Sequence, residues 1–136
     1  MESAQRVSEW IKKSDLKKII LIGHSKGGLV TMELLNKKYG VSERILKVIN
    51  FSTPYQGALI SKLGLKGMDD LKMGKKRRYI SKEKVVNIYP KIDNRIWPRE
   101  SLNLKGSENI EIKMLGHARI LEEERAINVL LEKIKY

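Results

Sequence analysis

Ser25 stands in Gly23-His24-Ser25-Lys26-Gly27-Gly28, directly after the apolar run Ile19-Ile20-Leu21-Ile22 and before the helix-forming stretch from Leu29 to Lys38. G-x-S-x-G at a strand-to-helix junction reads as a nucleophile elbow, a turn so tight that side chains are unwelcome on both flanks of the serine. The hydroxyl then projects above the sheet from a strained backbone, and the free N–H groups of the following helix favour negative charge at the same spot. An unassisted hydroxyl is a weak nucleophile at neutral pH, so a base must take its proton during attack. The chain has two histidines. His24 adjoins the serine, so its side chain is expected to point elsewhere, as a packing or pocket-wall residue. His117 follows the last apolar run and is the expected base. Asp93, which ends the segment after the preceding run, is the expected orienting carboxylate; Asp69, Asp70 and Glu100 are its competitors. The first two of these are expected to cap a short helix instead.

Those residues need a sheet edge on which to meet. A helix is expected over Glu2 to Lys13, with Val7, Trp10 and Ile11 on one face. Leu16 to Ile22 reads as a buried parallel strand, and Tyr39-Gly40 as a stop for the elbow helix. Further strands are expected at Leu46–Phe51, Lys84–Tyr89 and Ile110–Leu115. A closing amphipathic helix is expected over Leu121–Lys135, with Ile127, Leu130, Leu131 and Ile134 inward. Residues 57–83 read as a small cap insertion, in which Leu59, Ile60, Leu63, Leu65 and Met68 serve equally well as acyl-pocket lining or ordinary core. Strands separated by helices imply an α/β fold with a parallel sheet, residues 1–136 forming one domain.

With these residues quoted, the chain resembles the α/β-hydrolase superfamily, specifically its lipase and esterase branch. A histidine before the serine and a double glycine after it are usual there. Ser52-Thr53-Pro54-Tyr55-Gln56-Gly57-Ala58 looks like the T-P-x-x-G-[SA] segment that follows the next strand. Asp93-Asn94-Arg95-Ile96-Trp97-Pro98 looks like the acid loop and Gly116-His117 like the histidine loop. The order Ser…Asp…His is that of the family. The resemblance implies a Ser25–Asp93–His117 triad, with the Lys26 backbone N–H as one oxyanion donor and no metal or organic cofactor. It implies hydrolysis of carboxylic esters, lipid or medium-chain acyl groups favoured, through an acyl-enzyme. Amidases, thioesterases and acyltransferases use the same triad.

The resemblance covers only the back half of the fold, about four strands of an eight-stranded sheet. The strand that precedes the family's oxyanion loop has no counterpart before Glu2, which leaves Ile19–Ile22 as an exposed edge. The chain is therefore expected to be a fragment of a longer hydrolase, a half that pairs with a second polypeptide or with itself through that edge, or a non-catalytic remnant.

Composition narrows the rest. Lys and Arg number 28 against 16 Asp and Glu, a net charge of +12. Solvated charged faces account for this better than nucleic-acid binding; the one tight basic run, Lys75-Lys76-Arg77-Arg78, lacks the aromatics of a single-strand binder. Weak contact with anionic membrane surfaces fits the same charge. The absence of cysteine excludes disulfide and thiol chemistry. No long apolar stretch opens the chain, and a cytoplasmic location is expected. Gly23-x-x-x-Gly27-Gly28 lacks the spacing of either common phosphate-binding loop.

Overall fold

The computed structural model describes residues 2–63, 69–73 and 78–135. Apolar runs alternate with helical segments in the order α1 (Glu2–Lys13), β1 (Ile19–His24), α2 (Lys26–Leu34), β2 (Ile45–Phe51), β3 (Val85–Ile92), β4 (Glu108–Leu115) and α3 (Glu124–Lys133). The four strands form one parallel sheet in the order β1-β2-β3-β4. Helices on both faces explain why the inner strands β2 and β3 are apolar almost throughout.

On one face, Ile45, Val48 and Val85 pack with Ala4 and Ile11 of α1 and Met32 and Leu34 of α2. On the other, Ile49, Phe51, Val86, Ile88 and Ile112 pack with Ala126 of α3 and with Ile120. Each fully buried Ile, Val or Phe contributes about 1.5–3 kcal/mol of transfer free energy. Two helix faces differ from expectation. In α1 the buried stripe is Ala4-Ser8-Ile11, and Trp10 lies beyond Val7 on its outer flank, 63% exposed. In α3 the inward positions are Ala126, Val129, Leu130 and Ile134, while Ile127 and Leu131 face outward. Apolar periodicity placed Val7, Ile11, Leu130 and Ile134 inward correctly but not Trp10, Ile127 and Leu131, because a one-step rotation satisfies the same spacing.

Strand ends shift as well. β1 starts three residues later than expected and runs on through Gly23 and His24. β3 continues through Pro90 to Ile92. Its pairing with β2 ends at Phe51–Ile88, so the missing N–H of Pro90 costs no hydrogen bond there. In the insertion, 3-10 turns occupy Leu59–Leu63 and Asp69–Leu71. Leu65, Met68 and Lys75, Lys76 and Arg77 of the basic run lie outside the described residues, as do the side chains of Ile60, Leu63 and Asp70.

One row of the sheet is polar. Gly23, Asn50, Asn87 and Asn109 are register partners across the four strands. The Tyr55 hydroxyl donates to Asn87 Oδ1 at 3.2 Å and accepts from Asn50 Nδ2 at 3.1 Å, and Asn87 Nδ2 donates to Asn109 Oδ1 at 3.0 Å. Asn50 Nδ2 also reaches the Gly28 carbonyl at 3.3 Å. This buried network ties the start of α2, the Thr53–Tyr55 segment and the Leu102–Ser107 loop to the strands. The expected strands contained Asn50 and Asn87, with Asn109 just ahead of the last one, but nothing in the spacing showed that they share one row.

Ser52, just past β2, takes φ 46°, and its buried hydroxyl has no hydrogen-bond partner among the described residues. Left-handed backbone strains a serine by about 1–3 kcal/mol, and a desolvated hydroxyl costs about as much. Glycine accepts the conformation but loses about 0.5–1 kcal/mol more backbone entropy on folding. Ser52→Gly is therefore expected to raise stability in urea denaturation by about 1 kcal/mol; a loss of stability would show that the hydroxyl makes a favourable contact.

Candidate active site

The elbow forms where β1 hands over to α2. Ser25 has φ 53° and ψ −123°, a conformation that serine rarely adopts. The turn is held by the Ser25 N–H donating to Phe51 O (2.8 Å) and the Gly28 N–H donating to Ser25 O (3.0 Å). The steric demand falls differently from the expected pair of flanks. A Cβ on Gly23 would lie 2.7 Å from Gly28 Cα and 2.8 Å from Asn50 Oδ1. One on Gly28 would lie 1.8 Å from Thr53 Oγ1, whereas one on Gly27 would meet nothing within 4 Å. The tight contact is thus Gly23 against Gly28, with Thr53 behind it. Lys26 and Gly27 open α2, where first-turn N–H groups have no intrahelical acceptor.

At the C-terminal ends of β3 and β4, Asp93 and His117 meet. His117 Nδ1 lies 2.8 Å from Asp93 Oδ2, and both side chains are buried, 4% and 1% exposed. Asp93 Oδ1 accepts the N–H groups of Arg95 and Ile96, each at 2.8 Å. Burial alone pushes the Asp93 carboxyl up. The hydrogen bonds from His117, Arg95 and Ile96 outweigh that and hold it below its ordinary 3.8. The carboxylate therefore stays ionised and accepts the Nδ1 proton, which fixes the tautomer with Nε2 free of hydrogen.

The His117 backbone is clamped too. Its N–H donates to Asn94 Oδ1 at 2.9 Å, and the preceding Gly116 N–H donates to Ile92 O at 3.0 Å. Gly116, at φ 122°, makes that turn. Asn94 is a site residue that pattern reading missed; its place beside the acid was the available signal. The His24 ring packs on His117, centroids 4.8 Å apart. Burial holds the His24 imidazole below its ordinary 6.5. The alternative acids lie elsewhere: Asp69 pairs with Lys72 in its turn, and Glu100 lines a separate cleft with Gln56, Tyr89 and Asn103.

Both shifted groups make acid unfavourable to the fold. For each, the folded value lies below the unfolded one, so the unfolded chain binds more protons and stability declines as pH is lowered. The His24 contribution is full above its unfolded value of 6.5 and declines below it. That of Asp93 is full above its unfolded value of 3.8 and is lost as pH falls further. Melting temperatures measured between pH 8 and 3 are expected to drop in both windows, with His24→Gln flattening the upper one; a flat profile would contradict the buried geometry.

A parallel sheet with helices on both faces, a strained serine between β1 and α2, and a buried Asp–His pair on the same edge define an α/β-hydrolase. The chain belongs to the lecithin:cholesterol acyltransferase family, whose model matches residues 4–113. Solved structures agree on the fold. A metagenomic α/β-hydrolase from lagoon sediments of Mar Chica, Morocco, is 20% identical with a TM-score of 0.65, over 96% of this chain and 66% of that one. The type II thioesterase BorB from the borrelidin biosynthetic cluster is 16% identical with a TM-score of 0.63, over 97% and 68%. An extracellular α/β-hydrolase from a Paenibacillus species is 18% identical with a TM-score of 0.61, over 96% and 77%. The chain thus spans 66–77% of these proteins' length. Among curated proteins, none matches the sequence significantly.

Proposed function

We propose that the chain carries the acyl-transfer chemistry of a serine hydrolase acting on carboxylic esters. One observation carries this reading: a buried, ionised Asp93 bonded to His117 Nδ1, on the sheet edge that also holds the strained Ser25. Ser25 Oγ attacks the ester carbonyl while His117 Nε2 takes its proton, and Asp93 stabilises the imidazolium that forms. The Lys26 N–H donates to the oxyanion. Collapse of the tetrahedral intermediate expels the alcohol, which takes the proton back from His117. Water, activated by His117, then releases the acid and restores Ser25. An alcohol in place of that water makes the same site an acyltransferase.

A cleft of about 310 Å³ lined by Asp93, Ile92, Ile96 and Trp97 together with Lys91 and Arg99 supports a short or medium acyl group. Of the insertion residues expected as lining or core, Leu59 is 45% exposed, and the side chains of the other four lie outside the described residues.

The outer edge of β1 pairs with no strand among the described residues, and Ile22 on it is 55% exposed. This favours a second element of the proposal. A further strand, from more of the same polypeptide or from a partner chain, adds to β1 and brings the second oxyanion donor. Loss of one donor costs about 10²–10³ in rate. The test is hydrolysis of p-nitrophenyl butyrate by the purified chain. Slow turnover abolished by Ser25→Ala supports the reading, and turnover equal in that variant contradicts it. Failure of any ester to turn over, with the fold intact, favours a half-domain that acts only with its partner.

A further inference from the structure

We propose that His24 is a positioning residue that locks His117 to the elbow, acting as a neutral imidazole protonated at Nε2. This rests on the hydrolase reading of Ser25 and His117. His24 Nε2 lies 3.1 Å from the His117 carbonyl oxygen. A carbonyl only accepts, so Nε2 carries the hydrogen, and in the neutral ring Nδ1 then has none. The two rings also touch, tilted by 45°.

His117 is thereby gripped from two directions. The Asp93-Asn94 pair holds its Nδ1 and its backbone N–H from the end of β3. His24 holds its backbone carbonyl and one ring face from the end of β1. The acid loop fixes the tautomer of His117, but it has no covalent link to the nucleophile. His24 does, because Ser25 is the next residue and its N–H is anchored to Phe51, the register partner of His24. The distance between Ser25 Oγ and His117 Nε2 is therefore set by the peptide unit that carries both the serine and the His24 ring. Misplacement of reacting groups by about 1 Å costs on the order of a hundredfold.

The ring must also stay neutral. The charged and titratable groups facing it are His117 from the histidine loop and Asp93 and Arg95 from the acid loop. A cation at His24 would oppose the imidazolium that His117 becomes during attack, with Arg95 adding to the repulsion.

The test uses the full chain labelled with ¹⁵N in histidine, which gives only two imidazoles to assign. At pH 7.5 the His24 ring is expected to show a protonated Nε2 and a bare Nδ1. A fluorophosphonate probe reads the Ser25 rate in parallel. His24→Leu, which removes the donor, is expected to slow labelling about a hundredfold and to broaden the His117 Nδ1–H resonance, with melting temperature as the folding control. His24→Gln, whose amide restores a donor, is expected to recover most of that rate, a rescue that loss of packing alone does not predict. If the leucine variant does not fold, the tautomer and the glutamine variant decide the matter. A His24 ring protonated at Nδ1, or leucine and glutamine variants slowed equally, would overturn the proposal. If unaltered chain shows the expected tautomer and a sharp His117 signal but no Ser25 labelling, the contact of His24 with His117 stands and the reading of this chain as a hydrolase acting alone falls.

Discussion

Asp93→Asn is expected to lower ester turnover about 10⁴-fold while leaving the fold intact. The asparagine keeps an oxygen for the Arg95 and Ile96 N–H groups that Asp93 Oδ1 now accepts, so the acid loop retains its turn. Its amide nitrogen then faces His117 Nδ1, where the carboxylate oxygen stood at 2.8 Å. Two donors cannot share that contact, so the imidazole moves its hydrogen to Nε2. A protonated Nε2 cannot take the proton of Ser25, and no carboxylate remains to stabilise an imidazolium. The check is kcat for p-nitrophenyl butyrate beside a thermal melt. A loss below about tenfold in a folded variant would remove Asp93 from the chemistry.

Gly28→Ala is expected to destabilise the chain by about 3 kcal/mol or more, whereas Gly27→Ala is expected to stabilise it by up to about 1 kcal/mol. The added methyl at Gly28 overlaps Thr53 Oγ1, and rotating that hydroxyl away leaves Thr53 Cβ only 2.8 Å from it. Thr53 is fully buried, so the backbone must shift. The shift opens the contact between Gly28 and Gly23 that holds the elbow, and Ser25 moves with it. Gly27 lies in the first turn of α2 with open space beside it, so alanine there gains only helix propensity. Urea denaturation of the two variants reads the contrast. Equal effects would show that the elbow tolerates a side chain where Gly23 and Gly28 approach.

These two sites mark how far the sequence alone carries. The parallel α/β arrangement was legible because four apolar runs alternate with helical segments, a pattern that residue type and spacing encode directly. The Asp93–His117 meeting followed from both residues ending strands that point the same way. Contacts between elements were less visible. Gly27 satisfies the motif, yet Gly28 bears the steric demand, because the neighbour in question is Thr53, 25 positions later in the chain and in another loop. His24 was expected to point away from the serine as a packing or pocket-wall residue, with no partner named. Its ring packs on His117, 93 residues distant in sequence, a partner that spacing did not reveal. The asparagine row was hidden for the same reason: each Asn stands alone in its own strand, and only the register aligns them. Single helix positions were misassigned where neighbouring apolar residues, such as Trp10 beside Ile11, compete for one stripe.

The central claim is that Ser25 is an activated nucleophile served by His117 and Asp93. The most direct test is reaction of the folded chain with a fluorophosphonate, located by peptide mass spectrometry. The account predicts an adduct on Ser25 that is absent in Ser25→Ala and formed far more slowly in His117→Ala and Asp93→Asn. Labelling of Ser25 at the same rate in all but the alanine control, or no adduct on Ser25 even with a partner strand supplied, would contradict it.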